Sequence, residues 1–187
     1  MAEPAVRPTY LSTDPTPARR WRTVDIVVTA VLGVAFTGFP PAQAVMYGVW
    51  LLPAVIAPLI VRKPGAGLFA ELVAAVLSAL MGSAWGSIIV IYGLLEGLAG
   101  ELGYTVFRYR RFGRPQALLS SVLAGAMAAV LDLFYYYPTW TVGWKLSYLV
   151  VVVASTVAVA GVGGQLLVRA LARSGALSAF AAGRHRV

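Results

Sequence analysis

Residues able to carry out redox or nucleophilic chemistry are nearly missing from this 187-residue sequence. Cysteine is absent, which excludes disulfides, thiolate nucleophiles and cysteine metal sites. The single histidine, His185, lies in the C-terminal tail, so histidine-based catalysis within the apolar part of the chain is excluded. No Gly-Lys-Ser or Gly-Lys-Thr occurs, and the chain therefore has no P-loop. We expect a protein that is not an enzyme and has no catalytic residue, metal or cofactor.

Charged residues are also scarce, at 12% of the chain, whereas soluble domains average about 25%. Hydrophobic residues make up 59% of the sequence. This balance predicts an integral membrane protein in which the lipid bilayer is the main environment. The net charge of +8 does not indicate a nucleic-acid partner, because the cations lie at the ends of hydrophobic runs rather than on one soluble face.

Prolines and glycines divide the apolar sequence into six segments, most of them near the roughly 20 residues that cross a bilayer. The segments are 23–39, 43–61, 66–82, 86–107, 115–137 and 146–170. The sequence therefore predicts an all-α membrane protein with a six-transmembrane-helix bundle. The expected domains are a disordered cytoplasmic N-tail at 1–20, a six-helix transmembrane domain at 21–175 and a basic C-terminal tail at 176–187.

Basic residues predict the orientation of these spans. With six spans, all of the 15 Lys and Arg residues except Lys145 fall in the two tails or in the second and fourth connections. The positive-inside rule then places both termini in the cytoplasm. Miscounting by one span would scramble this asymmetry, so the charge pattern supports the count.

Acidic residues within the spans are the strongest functional signal. An acid near the bilayer midplane costs about 2.5–3.5 kcal/mol on insertion scales, and such residues usually mark functional sites. Glu71 and Asp132 each share a helix face with alanine, glycine and serine, so they are expected to face protein rather than lipid. Glu96 and Glu101 flank a face formed by Gly93, Gly97, Gly100 and Tyr104.

Some of these acids have purely structural alternatives. Glu71 could bond a neighbouring helix and only hold the bundle together. Glu101 lies two turns before Arg108 and could pair with the basic cluster there. Asp25, two residues after Thr23, is explained by capping and the dipole of the first helix.

Aromatic residues gather in the half of the bundle away from the basic connections. Tyr47 and Trp50 are nearly one helical turn apart and can share a face. An aromatic belt at the membrane interface is the default explanation of such residues. The three consecutive tyrosines of "FYYYPTW" (134–140) also suit a lid over a pocket.

Carboxylates and aromatic rings from separate spans predict a site for an organic cation or a nitrogen-rich ring. Carboxylates accept hydrogen bonds from amino groups, and aromatic faces attract cations and stack on flat heterocycles. The candidate substrate-binding residues are Tyr47, Trp50, Glu71, Trp85, Tyr92, Glu96, Asp132, Tyr135 and Tyr136.

At "YGVWLLPAVIAPLIVRKPGAGLFAELVAAVLSALMG" (47–82) and "GLLEGLAGELGY" (93–104), the chain resembles the S components of energy-coupling factor (ECF) transporters. The closest type is YkoE-like, associated with thiamine and its hydroxymethylpyrimidine precursor. The resemblance implies a six-helix subunit of a prokaryotic plasma membrane that binds a vitamin from outside. It also implies docking on a T protein that carries two cytosolic ATPases. The small-xxx-small docking pattern of the family's first helix is matched by Thr29 and Gly33.

Two other functions compete with this one. A stand-alone secondary permease for an organic cation would need an ion-coupling route, for which Glu71, Glu96 and Glu101 are candidates. A structural membrane subunit would bind no ligand at all.

Thiamine suits the candidate site residues because its thiazolium is a permanent cation and its aminopyrimidine can donate to a carboxylate.

Overall fold

A computed structural model of the chain describes Val27 and residues 40–184. The expected N-tail and all of the first predicted span except Val27 lie outside the described residues. The two expected docking residues, Thr29 and Gly33, lie outside them as well.

The regular secondary structure of residues 40–184 is helical, with no β-strand among them. The helices are α1 (Pro40–Trp50), α2 (Leu52–Val61), α3 (Ala66–Leu80), α4 (Ile88–Thr105), α5 (Arg114–Tyr135), α6 (Val142–Thr156), a π-helical segment (Val157–Gly163), α7 (Gly164–Arg173) and α8 (Ala181–Arg184). The all-α prediction agrees with this part of the chain.

Four stretches of the described chain are long and apolar enough to cross a membrane. They are Gln43–Val61, Ile88–Thr105, Arg114–Tyr135 and Val142–Arg173, and the 15-residue helix α3 is a shorter apolar helix. These stretches and α3 correspond to the second to sixth predicted spans. The last one begins at Val142, four residues before the predicted boundary at 146. The chain is therefore a multi-pass membrane protein.

The second predicted span is broken into α1 and α2 at Leu51. Leu51 leaves the helical conformation, with φ −84° and ψ 6°. Pro53 has no amide hydrogen, and the next amide, that of Ala54, lies in the first turn of α2, where no helical carbonyl is available to it. It donates instead to Glu71 Oε2 of α3 over 3.0 Å. A carboxylate on a neighbouring helix thus satisfies the N-terminus of α2.

The N-terminus of α3 is satisfied in the same way, by Glu101 of α4. Its carboxylate accepts from the amides of Gly65, Gly67 and Leu68 over 2.7, 2.8 and 3.3 Å. Gly65 has φ +81°, a conformation that glycine adopts without strain. A helix N-terminus also favours negative charge electrostatically. The hydrogen-bond partners of Glu101 are thus backbone amides at the start of α3, rather than the Arg108 cluster that the sequence offered as an alternative.

Glycines allow the close approach of α4 to its neighbours, as the sequence predicted. A Cβ at Gly97 would lie 3.0 Å from Leu68 Cα of α3. At Gly103 it would overlap the backbone of Ser120 in α5. The "GVGG" stretch (161–164) also marks close packing, since a Cβ at Gly161 would lie 2.6 Å from Ser121 Oγ.

The apolar core of the described chain forms two clusters. One packs around Tyr148 and includes the partly buried rings of Tyr137 and Trp140. The other packs around Tyr104 and reaches Leu177, within the predicted C-terminal tail. The first cluster adjoins the aromatic loop between α5 and α6, which is where the candidate site lies.

We predict that Glu101→Ala destabilises the protein by about 1–3 kcal/mol, because three amides at the start of α3 lose their acceptor. The change is measured as a lower apparent melting temperature of the purified chain in detergent. Thr105→Ala is the control, since its hydroxyl bonds only within its own helix turn and to the Tyr109 hydroxyl. Equal melting temperatures for the two variants would contradict the capping role.

Candidate functional site

Asp132 of α5 connects three helices through one carboxylate oxygen. Tyr47 of α1 and Tyr148 of α6 both donate their hydroxyl hydrogens to its Oδ2, each over 2.6 Å. The side chain is only 5% exposed. Burying a carboxylate is costly without hydrogen bonds, and two tyrosines supply bonds to Oδ2 here.

Glu96 of α4 has one satisfied oxygen and one unsatisfied oxygen. Trp50 Nε1 of α1 donates to Glu96 Oε2 over 3.0 Å. The other oxygen, Oε1, is buried and has no hydrogen-bond partner in the described part of the chain. The glutamate itself is fully buried, with 0% exposure. The arrangement leaves one acceptor for a donor that these residues do not supply.

Helix α1 brings the two carboxylates to a single site. Tyr47 and Trp50 are three residues apart on one face of α1, and each holds one of the acids. Glu96 and Asp132 interact electrostatically with each other. Tyr92 of α4 interacts with both acids, and its buried hydroxyl has no hydrogen-bond partner of ordinary geometry among the described residues.

Aromatic rings form a wall beside Asp132. Tyr137 and Trp140 stack with ring centroids 4.2 Å apart and an interplanar angle of 19°. Both rings meet Tyr148 edge-on, at 5.5 and 5.8 Å. Lys145 Nζ donates to the Pro138 carbonyl over 2.8 Å, which ties the loop to the start of α6.

Six of the nine predicted site residues lie in one cluster around Glu96 and Asp132. They are Tyr47, Trp50, Tyr92, Glu96, Asp132 and Tyr136. Tyr136 joins through its ring, whose centroid is 6.3 Å from that of Tyr92.

The other three predicted residues have different surroundings. Trp85 is 57% exposed in the connection between α3 and α4. Tyr135 is also 57% exposed, and its ring contacts that of Tyr136 at 5.0 Å. Glu71 is fully buried and interacts electrostatically with Glu96, but its hydrogen bond goes to the amide of Ala54. This contact matches the structural alternative for Glu71, in which it bonds to a neighbouring helix.

Sequence reasoning missed Tyr148 and did not include Tyr137 or Trp140 in the site. Tyr148 is a lone tyrosine in an apolar span, one turn after Trp144. The available signal was its hydroxyl group, because a buried tyrosine hydroxyl usually needs a hydrogen-bond partner. In the structure, Asp132 provides that partner.

The arrangement suits recognition of a flat, nitrogen-containing molecule. Glu96 Oε1 can accept from an amino group, and the Tyr137–Trp140 stack offers aromatic faces. Among the described residues no group of three or more His, Cys, Asp or Glu side chains could hold a metal ion.

Comparison with known proteins agrees with a membrane transport component. Residues 36–127 match the family model "ABC-type cobalt transport system, permease component". A Bacillus subtilis (strain 168) protein named "Putative HMP/thiamine permease protein YkoE" is 28% identical over 183 residues, covering 89% of this chain and 92% of that protein. A crystal structure of an S component of an ECF transporter is similar with a TM-score of 0.75 and 30% identity, covering 88% of this chain and 92% of that one.

The fold and the comparisons define a component of a membrane transport system, and these relatives are transport proteins rather than enzymes. More specifically, the chain belongs to the S components of ECF transporters.

We predict that Glu71→Ala lowers stability by about 1–3 kcal/mol, because the Ala54 amide at the α1–α2 break loses its acceptor. Glu71→Gln retains an acceptor oxygen and should lose clearly less. Thermal unfolding of both variants in detergent measures the difference. A Gln variant as unstable as the Ala variant would show that the negative charge, rather than the hydrogen bond, matters.

Proposed function

We propose that the protein captures thiamine or its hydroxymethylpyrimidine precursor from outside the cell and delivers it to an ATP-driven ECF transporter. The observation that carries the proposal is the buried Oε1 of Glu96, an acceptor without a partner in the described chain. Glu96 lies in one cluster with Trp50, Tyr47 and Asp132. A 4-aminopyrimidine presents an amino hydrogen that such an oxygen can accept. The name of the Bacillus subtilis relative supports the same ligand class.

The aromatic residues account for the rest of the ligand. The rings of Tyr137 and Trp140 can stack on a flat pyrimidine ring. Their faces can also attract the permanent positive charge of a thiazolium. Asp132 adds negative charge close to these rings. Thiamine would use both features, whereas hydroxymethylpyrimidine would use only the carboxylate and the stacking.

Delivery requires partners, because the sequence has no P-loop of its own. We propose that these are a T protein and two cytosolic ATPases, with Thr29 and Gly33 of the first span in the docking surface. Both termini would then lie in the cytoplasm of a prokaryotic cell, as the positions of the basic residues support. The match to an S component of an ECF transporter supports the same assembly.

We predict that Glu96→Gln weakens thiamine binding by about 1–3 kcal/mol, or roughly 5- to 150-fold in Kd. The amide keeps an acceptor for Trp50 but replaces the remaining carboxylate oxygen by a donor, which faces the ligand's amino group unfavourably. Calorimetric titration of the purified full chain measures the change.

The matched ligand control is oxythiamine, in which an oxygen replaces the amino group. It should bind wild type weakly and lose little further affinity in Glu96→Gln. If Glu96→Gln weakens thiamine and oxythiamine by the same factor, Glu96 does not contact the amino group. If wild type binds neither thiamine nor hydroxymethylpyrimidine, the ligand assignment itself is wrong.

The Trp50 ring has an equally direct test. Trp50→Phe removes the indole donor to Glu96 and should weaken thiamine binding several-fold, whereas Trp85→Phe at an exposed position should change it little. Equal effects of the two substitutions, with both variants folded, would remove Trp50 from the site.

Uptake into proteoliposomes separates the importer from a stand-alone permease. We expect thiamine uptake only when the T protein and ATPases are co-reconstituted and ATP is present. Proton- or sodium-driven uptake by the chain alone would overturn the proposal and favour the permease.

A further inference from the structure

A second polar site lies at the opposite end of the described helices from the aromatic loop. A cavity of about 610 Å³ is lined by Leu59 of α2 and Arg62 directly after it, by the N-terminus of α5, and by α7 and α8. Four arginines line it: Arg62, Arg114, Arg169 and Arg173. No carboxylate is among its described lining residues, so the cavity concentrates positive charge. Its volume falls in the range of small-molecule sites.

Two further features make the cavity attractive to an anion. Arg62 Nε is buried and has no hydrogen-bond partner in the described part of the chain. Arg62 also caps the C-terminus of α2 with φ +55°, a left-handed conformation that costs a non-glycine residue free energy. The 22-residue helix α5 begins beside the cavity, and a helix N-terminus carries partial positive charge.

The cavity continues into an apolar groove. An adjoining cavity of about 240 Å³ shares Arg114, Gln165 and Arg169 with it. The rest of this second cavity is lined by Leu118, Val162 and Leu166, and the last two are exposed on apolar membrane-spanning segments. Arginines at the end of the spans therefore lead directly onto a surface that suits acyl chains.

We propose that this composite cavity binds one anionic phospholipid, with the phosphate held by the arginines and an acyl chain along the groove between α5 and the π-helical segment. Guanidinium groups bind phosphate oxygens in a bidentate manner. Basic pockets between membrane helices are typical sites for anionic headgroups. A soluble phosphate compound would use the arginines but not Val162 and Leu166.

Native mass spectrometry of the full chain, titrated with phosphatidylglycerol or phosphatidylcholine, tests the proposal. We expect a one-to-one phosphatidylglycerol complex at least about tenfold tighter than the phosphatidylcholine complex. The double variant R169Q/R173Q should weaken phosphatidylglycerol binding about tenfold or more. The double variant R110Q/R111Q removes the same charge at exposed positions outside the cavity and should change it less than about threefold.

The melting temperature of each variant without lipid shows whether it folds, and R114Q provides a second cavity variant if R169Q/R173Q does not. Equal binding of the two lipids, or equal losses in the two double variants, would overturn the proposal. Inorganic phosphate or glycerol 3-phosphate binding as tightly as phosphatidylglycerol would also overturn it, because the site would then take a soluble anion. None of these outcomes depends on the vitamin.

Discussion

The structure depends on the need of buried carboxylates for hydrogen-bond donors. An acid inside an apolar bundle is costly without a hydrogen bond or an ion pair, and none of the four acids in the described spans forms an ion pair with a cation there. Each bonds to a neighbouring helix instead: Glu101 to the start of α3, Glu71 to the start of α2, Glu96 to α1, and Asp132 to α1 and α6. These bonds connect α3 to α2 and α4, α1 to α4 and α5, and α5 to α6.

The four acids differ in the kind of donor that they use, and this difference bears on function. Glu71 and Glu101 accept from backbone amides at helix N-termini, which cannot move without disturbing a helix. Glu96 and Asp132 accept from Trp50, Tyr47 and Tyr148, whose side chains can rotate. A ligand can therefore compete for the second pair at a much smaller structural cost. The first pair stabilises the fold, and the second pair is suited to recognition.

The sequence predicted which helix face a residue occupies better than it predicted the residue's hydrogen-bond partner. Helical periodicity placed Glu71 among small residues, and its contact with α2 agrees with a protein-facing position. The break at Leu51 was not predicted, because residues 43–61 read as one apolar run; Pro53, just after the break, was the available signal. The contact of Glu101 with the start of α3 was not predicted, since a pattern along one helix does not reveal the N-terminus of a neighbouring helix.

The candidate site was predictable to the extent that its residues carry charge. Glu96 and Asp132 stood out as acids in apolar spans, and the pairing of Tyr47 and Trp50 on one face followed from their spacing. Trp85 and Tyr135 were included because aromatic residues near a membrane interface look alike in sequence, whether they face a site or the surroundings. Tyr148 was missed because its role depends on the packing of α6 against α5.

The most direct test of the account is the identity of any small molecule that copurifies with the chain. Wild-type protein from cells grown with thiamine would be extracted with organic solvent and the extract analysed by mass spectrometry, in parallel with Glu96→Gln. The account predicts a 4-aminopyrimidine, thiamine or its hydroxymethyl precursor, in near-stoichiometric amount from wild type and strongly depleted from the variant. Recovery of equal amounts from both proteins, or of an unrelated compound from wild type, would contradict it.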